Sequence, residues 1–138
     1  MGTRCDFYVG RDSSAEWLGS VAWNGDPENF PEIIEANQES RYREEVTKEL
    51  EARDDATLPE AGWPWPWEDS RTTDYAITFD DGEVYASCFG HSWYRPGKEE
   101  EPEAEGEKVA VFPNMKSRQK VTFGARSGLM VFVSKEGK

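Results

Sequence analysis

Hydrophobic and polar residues alternate in two stretches near the N-terminus, which is the period of a half-buried β-strand. In residues 3 to 9 the apolar positions on one side are Cys5, Phe7 and Val9. The run from Trp17 to Trp23 alternates in the same way, with Trp23 on the face of Trp17, and a turn signal follows at residues 24 to 27. We expect these two strands to form a hairpin across the polar loop from Gly10 to Glu16.

The period changes to that of a helix between residues 29 and 55. Pro31 suits the first turn of a short helix, and Ser40 is a candidate N-cap for a longer one. Its apolar stripe is narrow and consists of Tyr42, Val46 and Leu50. Favourable charge pairs four residues apart cover the other positions; these are Glu39 with Arg43, Glu44 with Lys48, and Glu49 with Arg53.

The segment from Leu58 to Ser70 has no periodicity, and the run Trp63-Pro64-Trp65-Pro66-Trp67 cannot continue a helix. We expect it to be extended. Strand patterning returns at residues 75 to 79, and Asp81-Gly82 predicts a hairpin turn before Val84 to Phe89. Residues 97 to 107 have no large apolar side chain and are predicted to form a mobile acidic loop.

Three short apolar runs close the chain: Val109 to Phe112, Val121 to Phe123, and Leu129 to Val133. Together the patterns predict an α+β fold in one domain spanning residues 1 to 138. Its sheet is expected to be mostly antiparallel, with about six or seven short strands, and to carry one main helical region.

Charge is segregated along the chain. Residues 108 to 138 hold seven Lys and Arg against the single acid Glu136, a net of +6, whereas residues 1 to 107 hold nine bases against 27 acids, a net of −18. Such asymmetry indicates an interaction, either between the two parts of the chain or with a charged partner. There is no signal-peptide pattern or membrane-spanning run, and the two cysteines, Cys5 and Cys88, lie in apolar runs. We therefore expect a cytoplasmic protein.

The Trp-Pro segment is the most unusual local feature. Trp is enriched at binding hot spots, and Pro lowers the entropy lost on binding, so the candidate binding residues are Trp63, Trp65, Trp67, Glu68 and Asp69. The other interpretation is that the segment lies across an open sheet face and closes a core that the narrow helix cannot cover. A division of roles, with some indoles buried and one exposed, is a third.

The only His, His91, follows Cys88 by three residues, so a Cys-dependent enzyme with His91 as base is an alternative function. Structural zinc usually takes four Cys or His ligands, more than this chain offers. The sequence has no phosphate-binding loop and no serine nucleophile elbow. We predict no catalytic residue, no metal and no cofactor, and expect a binding protein rather than an enzyme.

The basic C-terminal region interleaves cations with aromatic residues, as single-strand binders do; its members are Phe112, Lys116, Arg118, Lys120, Phe123 and Arg126. A single-stranded nucleic-acid binder is thus a second alternative. The 28 acids of the chain disfavour it, because they repel a polyanion. Carboxylates on a helix and loops can instead compete for a site that holds phosphates, which favours a protein partner.

Residues 1 to 10, Met-Gly-Thr-Arg-Cys-Asp-Phe-Tyr-Val-Gly, and residues 56 to 75 around the Trp-Pro run resemble uncharacterised small proteins carried by bacteriophages and integrated mobile elements of bacteria. The resemblance implies a bacterial accessory protein and assigns no site residue. The hypothesis is a small acidic binding protein that inhibits a host defence or nucleic-acid enzyme by occupying its surface.

Overall fold

A computed structural model describes residues 2–102 and 108–116, in which five β-strands form one sheet. The strands are β1 (Cys5–Val9), β2 (Glu16–Val21), β3 (Ala56–Thr57), β4 (Tyr75–Asp80) and β5 (Glu83–Cys88), in the order β3-β2-β1-β4-β5. Two α-helices, α1 (Pro31–Ile34) and α2 (Glu39–Glu51), lie between β2 and β3. The α+β class is therefore confirmed.

Both predicted hairpins are confirmed. Strand β1 pairs antiparallel with β2, and β4 pairs antiparallel with β5. The turn between β4 and β5 consists of Asp81 at φ 53° and Gly82 at φ 79°. Two consecutive positive φ angles match the right-handed twist of a two-residue hairpin, which explains why Asp-Gly occurs here.

The expectation of a mostly antiparallel sheet is only partly correct, because the sheet is mixed. Strand β4 runs parallel to β1, with Cys5 opposite Tyr75 and Val9 opposite Phe79. The chain leaves β3 at one edge, crosses the sheet as the Trp-Pro segment, and enters β4 beside the start of β1, where the Tyr75 N–H donates to the Arg4 carbonyl. This crossover gives the two central strands the same direction.

The predicted number of strands also needs correction, because the described residues form five. In the apolar run Val109–Phe112, Ala110 and Phe112 are buried and Val109 and Val111 are exposed, but the run does not pair as a strand. The runs 121–123 and 129–133 lie outside the described residues.

One face of the sheet is covered by α1 and α2 and forms the first core with Phe7, Phe30, Tyr42, Val46 and Ile77 among its members. The Tyr42 hydroxyl donates to the Ile77 carbonyl at 3.1 Å. Helix α2 lies close to β2 at Gly19 (φ 147°), where an added Cβ would be 2.7 Å from Leu50 Cδ1. Gln38 rather than Ser40 precedes α2 as its N-cap residue, without a capping side-chain bond.

The opposite face of the sheet is covered by the Trp-Pro segment and residues 108–116, which form the second core. Its buried members include Tyr8, Trp17, Trp63, Phe112 and Met115. The division follows from the alternation of β1, because Cys5 and Phe7 point to the first core and Asp6 and Tyr8 to the second. Neither helix of the described ranges has the length and apolarity that crossing a bilayer requires.

The described part of the predicted mobile acidic loop, residues 97–102, contacts the body of the protein. Glu101 Oε1 accepts a hydrogen bond from the Tyr75 hydroxyl at 3.0 Å, and Glu99 forms an ion pair with Arg95 at 3.2 Å. Residues 103–107 lie outside the described part of the chain.

Candidate functional site

A fully buried carboxylate, that of Asp6, lies beneath the Trp-Pro segment. Its Oδ1 accepts hydrogen bonds from Ser20 Oγ at 2.5 Å and Trp65 Nε1 at 2.7 Å, and its Oδ2 accepts one from Ser70 Oγ at 2.6 Å. Burial raises the pKa of Asp6, and these hydrogen bonds offset part of the rise. Asp6 therefore connects β1 and β2 with the segment that crosses them.

The three indole N–H groups of the Trp-Pro segment all have acceptors within the protein. Besides the bond from Trp65 to Asp6, Trp63 Nε1 donates to the Trp67 carbonyl at 2.6 Å and Trp67 Nε1 donates to Thr73 Oγ1 at 2.9 Å. Trp63 is buried, whereas Trp65 and Trp67 are half-buried and stack with ring centroids 5.7 Å apart. This geometry fits the interpretation in which the segment closes an open sheet face.

Arg4 lies over the two stacked indoles. Its guanidinium carbon is 5.8 Å from the ring centroid of Trp65 and 5.1 Å from that of Trp67. Asp74 fixes Arg4 in this place, because its Oδ2 accepts hydrogen bonds from the Arg4 backbone N–H at 2.9 Å and from Nε at 3.2 Å. A cation already occupies the position over these rings that a basic side chain of a partner would take.

The two predicted acidic members of the site, Glu68 and Asp69, also make internal contacts. Asp69 is buried; its Oδ1 accepts the backbone N–H of Arg71 at 2.9 Å, and its carboxylate pairs with the Arg71 guanidinium. Glu68 is exposed, and its carbonyl accepts the N–H of Met115 at 2.9 Å. The five predicted residues thus lie together on the second core, and their binding role stays a prediction.

Trp23 is a candidate binding residue that the sequence pattern did not indicate. The pattern placed it on the buried face of a strand, but β2 ends at Val21 and the Trp23 side chain is 61% exposed. Asp55 Oδ2 accepts the backbone N–H groups of Ala22 and Trp23 at 3.0 and 2.8 Å, and Arg53 donates to the Trp23 carbonyl. These bonds hold the backbone of Trp23 and turn the chain away from the sheet.

The carboxylates of the helical region fall into two groups. Of the predicted helix pairs, Glu39–Arg43 and Glu49–Arg53 are confirmed at 2.8 Å each, whereas Lys48 lies 3.3 Å from Glu45 instead of pairing with Glu44. A second group is exposed and has no cation within 4 Å among the described residues; its members are Glu28, Glu32, Glu35, Glu44, Glu51 and Asp54. Three of these follow Trp23 in a stretch that has no Lys or Arg between Arg11 and Arg41.

The surroundings of Cys88 oppose thiolate chemistry. Partial burial and the nearby carboxylate of Glu101 raise the pKa of Cys88 to about 11, whereas a nucleophilic thiol needs a depressed pKa. His91 follows in a tight turn, where its backbone N–H donates to the Cys88 carbonyl at 3.0 Å. Across residues 2–102 and 108–116, no three His, Cys, Asp or Glu side chains are grouped so that they could hold a metal ion.

The basic C-terminal region is described only as far as Lys116. Phe112 is buried in the second core, where it packs against Tyr8, and Lys108 Nζ donates to the Arg71 carbonyl at 2.8 Å. Lys108 Nζ also lies 5.0 Å from the ring centroid of the exposed Phe89, whereas the ring of Phe112 is not available for base stacking. Arg118, Lys120, Phe123 and Arg126 lie outside the described residues.

The chain matches no protein-family model, no curated protein and no solved structure.

Proposed function

We propose that this chain is a small acidic binding protein that occupies a cationic surface of a partner protein, with Trp23 as its aromatic anchor. The observation that carries the proposal is the exposed indole of Trp23, on a backbone fixed by Arg53 and Asp55. Trp residues dominate the binding energy of many interfaces. A fixed backbone supports such a role because little conformational entropy is lost when the residue docks.

The charge distribution supports a cationic partner. The described residues hold eleven Lys and Arg against 24 Asp and Glu, a net of −13. Glu28, Glu32 and Glu35 are exposed and follow Trp23 within 12 positions of the sequence. The Asn29 side-chain amide donates a hydrogen bond to the Asn24 carbonyl at 3.1 Å. Exposed carboxylates complement a surface that binds phosphates.

The partner class we infer is a nucleic-acid enzyme, including those of host defence, which the chain inhibits by covering its substrate surface. The cytoplasm of a bacterium and an origin in a phage or another mobile element are the setting that the proposal assumes. In this proposal the Trp-Pro segment stabilises the fold and is not the main contact with the partner, because its indole N–H groups are hydrogen-bonded within the protein and Arg4 covers its stacked rings.

The test is capture of proteins from a bacterial lysate by the immobilised native chain, by Trp23→Ala, and by the triple variant E28Q, E32Q and E35Q. Leu58→Ala is the matched control, because Leu58 is also an exposed large apolar residue and follows β3, whereas Trp23 follows β2. Trp63, Trp65 and Trp67 are unsuitable for this test, since changing them disturbs the second core.

We expect the native chain and Leu58→Ala to capture the same nucleic-acid-binding proteins, which an added oligonucleotide releases by competition. Trp23→Ala and the triple variant should capture at least tenfold less. Equal capture by all four chains, or capture that the oligonucleotide does not affect, would contradict the proposal.

A further inference from the structure

The residues that precede β1 lie beside the segment that carries Trp23. Strand β1 begins at Cys5, which pairs with the last residue of β2. Beyond this pair the two parts of the chain stay in contact, because the Gly25 N–H donates to the Thr3 carbonyl at 2.9 Å. Residues 2–4 and 22–25 therefore pack against each other beyond the end of the β1–β2 hairpin.

Gly2 is in direct contact with the ring of Trp23. A Cβ atom added at Gly2 would overlap Trp23 Cδ1 and the carbonyl oxygen of Ala22, and it would lie 3.0 Å from Trp23 Nε1. Cδ1 and Nε1 form one edge of the indole, so it is this edge that lies against the backbone of Gly2. Glycine is the residue that permits such a close approach, because it has no side chain.

The backbone and the ring of Trp23 are held by different groups. Asp55 accepts a hydrogen bond from the Trp23 N–H, and Arg53 donates one to its carbonyl. These bonds fix the main chain but not the rotation of the side chain about χ1 and χ2. In the part of the chain that the structure describes, the indole N–H of Trp23 has no acceptor. The contact with Gly2 therefore restricts the ring where hydrogen bonds do not.

We propose that Gly2 is a positioning residue for the Trp23 anchor. Because Gly2 has no side chain, the indole lies against its backbone and keeps one orientation before the partner arrives. An anchor that already has its bound orientation loses less side-chain entropy on docking. The effect on binding rests on the proposed function, whereas the contact between Gly2 and the ring can be measured on the free protein.

Gly2→Ala places a methyl group where the indole lies. The Trp23 side chain is 61% exposed and belongs to neither core, so the ring can turn into solvent without disturbing the packing of the sheet. The variant should therefore keep the native thermal transition. Thr3→Ala is the matched control, because it changes the neighbouring residue and retains the carbonyl that accepts from Gly25.

The first measurement needs no partner. The chain is labelled with 5-fluorotryptophan, and its fluorine NMR spectrum should contain one signal for each of the six indoles. The signal of Trp23 is the one that Trp23→Phe removes. We expect Gly2→Ala to move this signal toward that of free 5-fluorotryptophan and to leave the other five in place. Thr3→Ala should leave the Trp23 signal where it is in the native chain.

The second measurement is capture from a bacterial lysate. Gly2→Ala should capture at least fivefold less than the native chain, and Thr3→Ala as much as the native chain. An unmoved Trp23 signal in Gly2→Ala, movement of all six signals, or a lowered thermal transition would each overturn the inference. Native capture by Gly2→Ala, where Trp23→Ala fails to capture, would overturn it as well.

The two measurements separate this inference from the proposed function. If the native chain captures no nucleic-acid-binding protein, the proposed function fails and so does the role of Gly2 in binding. The fluorine spectra then still decide whether Gly2 sets the orientation of the Trp23 ring.

Discussion

Replacing Asp6 tests whether one buried carboxylate holds the second core together. Asp6→Asn retains the shape and the Oδ1 acceptor, so the bonds from Ser20 and Trp65 remain. Its amide nitrogen then donates to Ser70 Oγ, and the Ser70 hydroxyl donates to Tyr8 Oη, which lies 2.7 Å away. Asp6→Ala removes both acceptor oxygens. Both variants remove the negative charge of Asp6, and they differ in the hydrogen bonds that remain.

The difference in stability between the two variants follows from the donors that Asp6→Ala leaves unpaired. The indole N–H of Trp65 loses its acceptor, and so does the hydroxyl of Ser20. Each unsatisfied buried donor costs about 1–3 kcal/mol, whereas Ser70 can turn toward Tyr8. We therefore expect the free energy of unfolding of Asp6→Ala to be about 2–6 kcal/mol lower than that of Asp6→Asn.

The pH dependence compares the native chain with Asp6→Asn. Because the pKa of Asp6 is raised in the folded protein above its ordinary 3.8, protonation favours folding. This contribution is fully present below the unfolded pKa and is lost as pH rises through the folded pKa. The stability of the native chain relative to Asp6→Asn should therefore increase as pH falls from 7 to 4.

Urea unfolding followed by Trp fluorescence at pH 7, 5.5 and 4 measures both effects, since five of the six indoles pack in or against the second core. Circular dichroism at the same pH values controls for loss of the native fold. Equal stability of Asp6→Ala and Asp6→Asn, or a native-to-Asn difference that does not change with pH, would refute the reasoning.

Three further predictions concern single residues. In urea unfolding, Gly19→Ala should lower the free energy of unfolding by about 2 kcal/mol or more, and Gly82→Ala by about 1 kcal/mol. Both glycines have a positive φ, but only at Gly19 would the added Cβ contact neighbouring atoms. Equal losses of stability in the two variants would contradict this. The hydrogen bond from Arg53 lowers the pKa of Asp55 to about 2, so the stabilisation by Asp55 is present above pH 3.8 and is lost toward pH 2. The difference in the free energy of unfolding between the native chain and Asp55→Asn should therefore shrink from pH 3.8 to pH 2. A difference that stays constant over this range would contradict the prediction. Cys88 should react with iodoacetamide at pH 7 more slowly than a free thiol, followed by mass spectrometry with Cys88→Ser as the blank, and rapid labelling would revive the Cys-dependent alternative.

The elements that the sequence predicted correctly are those that local signals determine. Asp81-Gly82 requires positive φ at both positions, and the chain then reverses into a hairpin whatever surrounds it. The parallel pairing of Cys5 with Tyr75 has no such signal, because it joins strands 70 positions apart in the chain, and the route between them depends on the packing of Trp63.

The candidate site was only partly predictable for a similar reason. The Trp-Pro segment was visible as an unusual motif, but its buried acceptor Asp6 occupies a strand position where alternation indicates solvent. Trp23 was assigned to the buried face by the same alternation, and it is exposed because Asp55 binds the two backbone N–H groups that follow the strand. Long-range hydrogen bonds determine both the burial of Asp6 and the exposure of Trp23, and the hydrophobic periodicity of the sequence contains no information about such bonds.

The parallel pairing of β1 with β4 affects how the chain can fold during synthesis. Strand β1 can pair with β2 once Val21 has been synthesised, but the strand on the other side of β1, β4, ends only at Asp80. Until that strand has left the ribosome, one edge of β1 is open and Phe7 and Tyr8 lack most of the layers that bury them. Because long-range pairing is slow to form, the nascent chain exposes an open apolar strand edge until β4 has been synthesised, and such an edge favours aggregation.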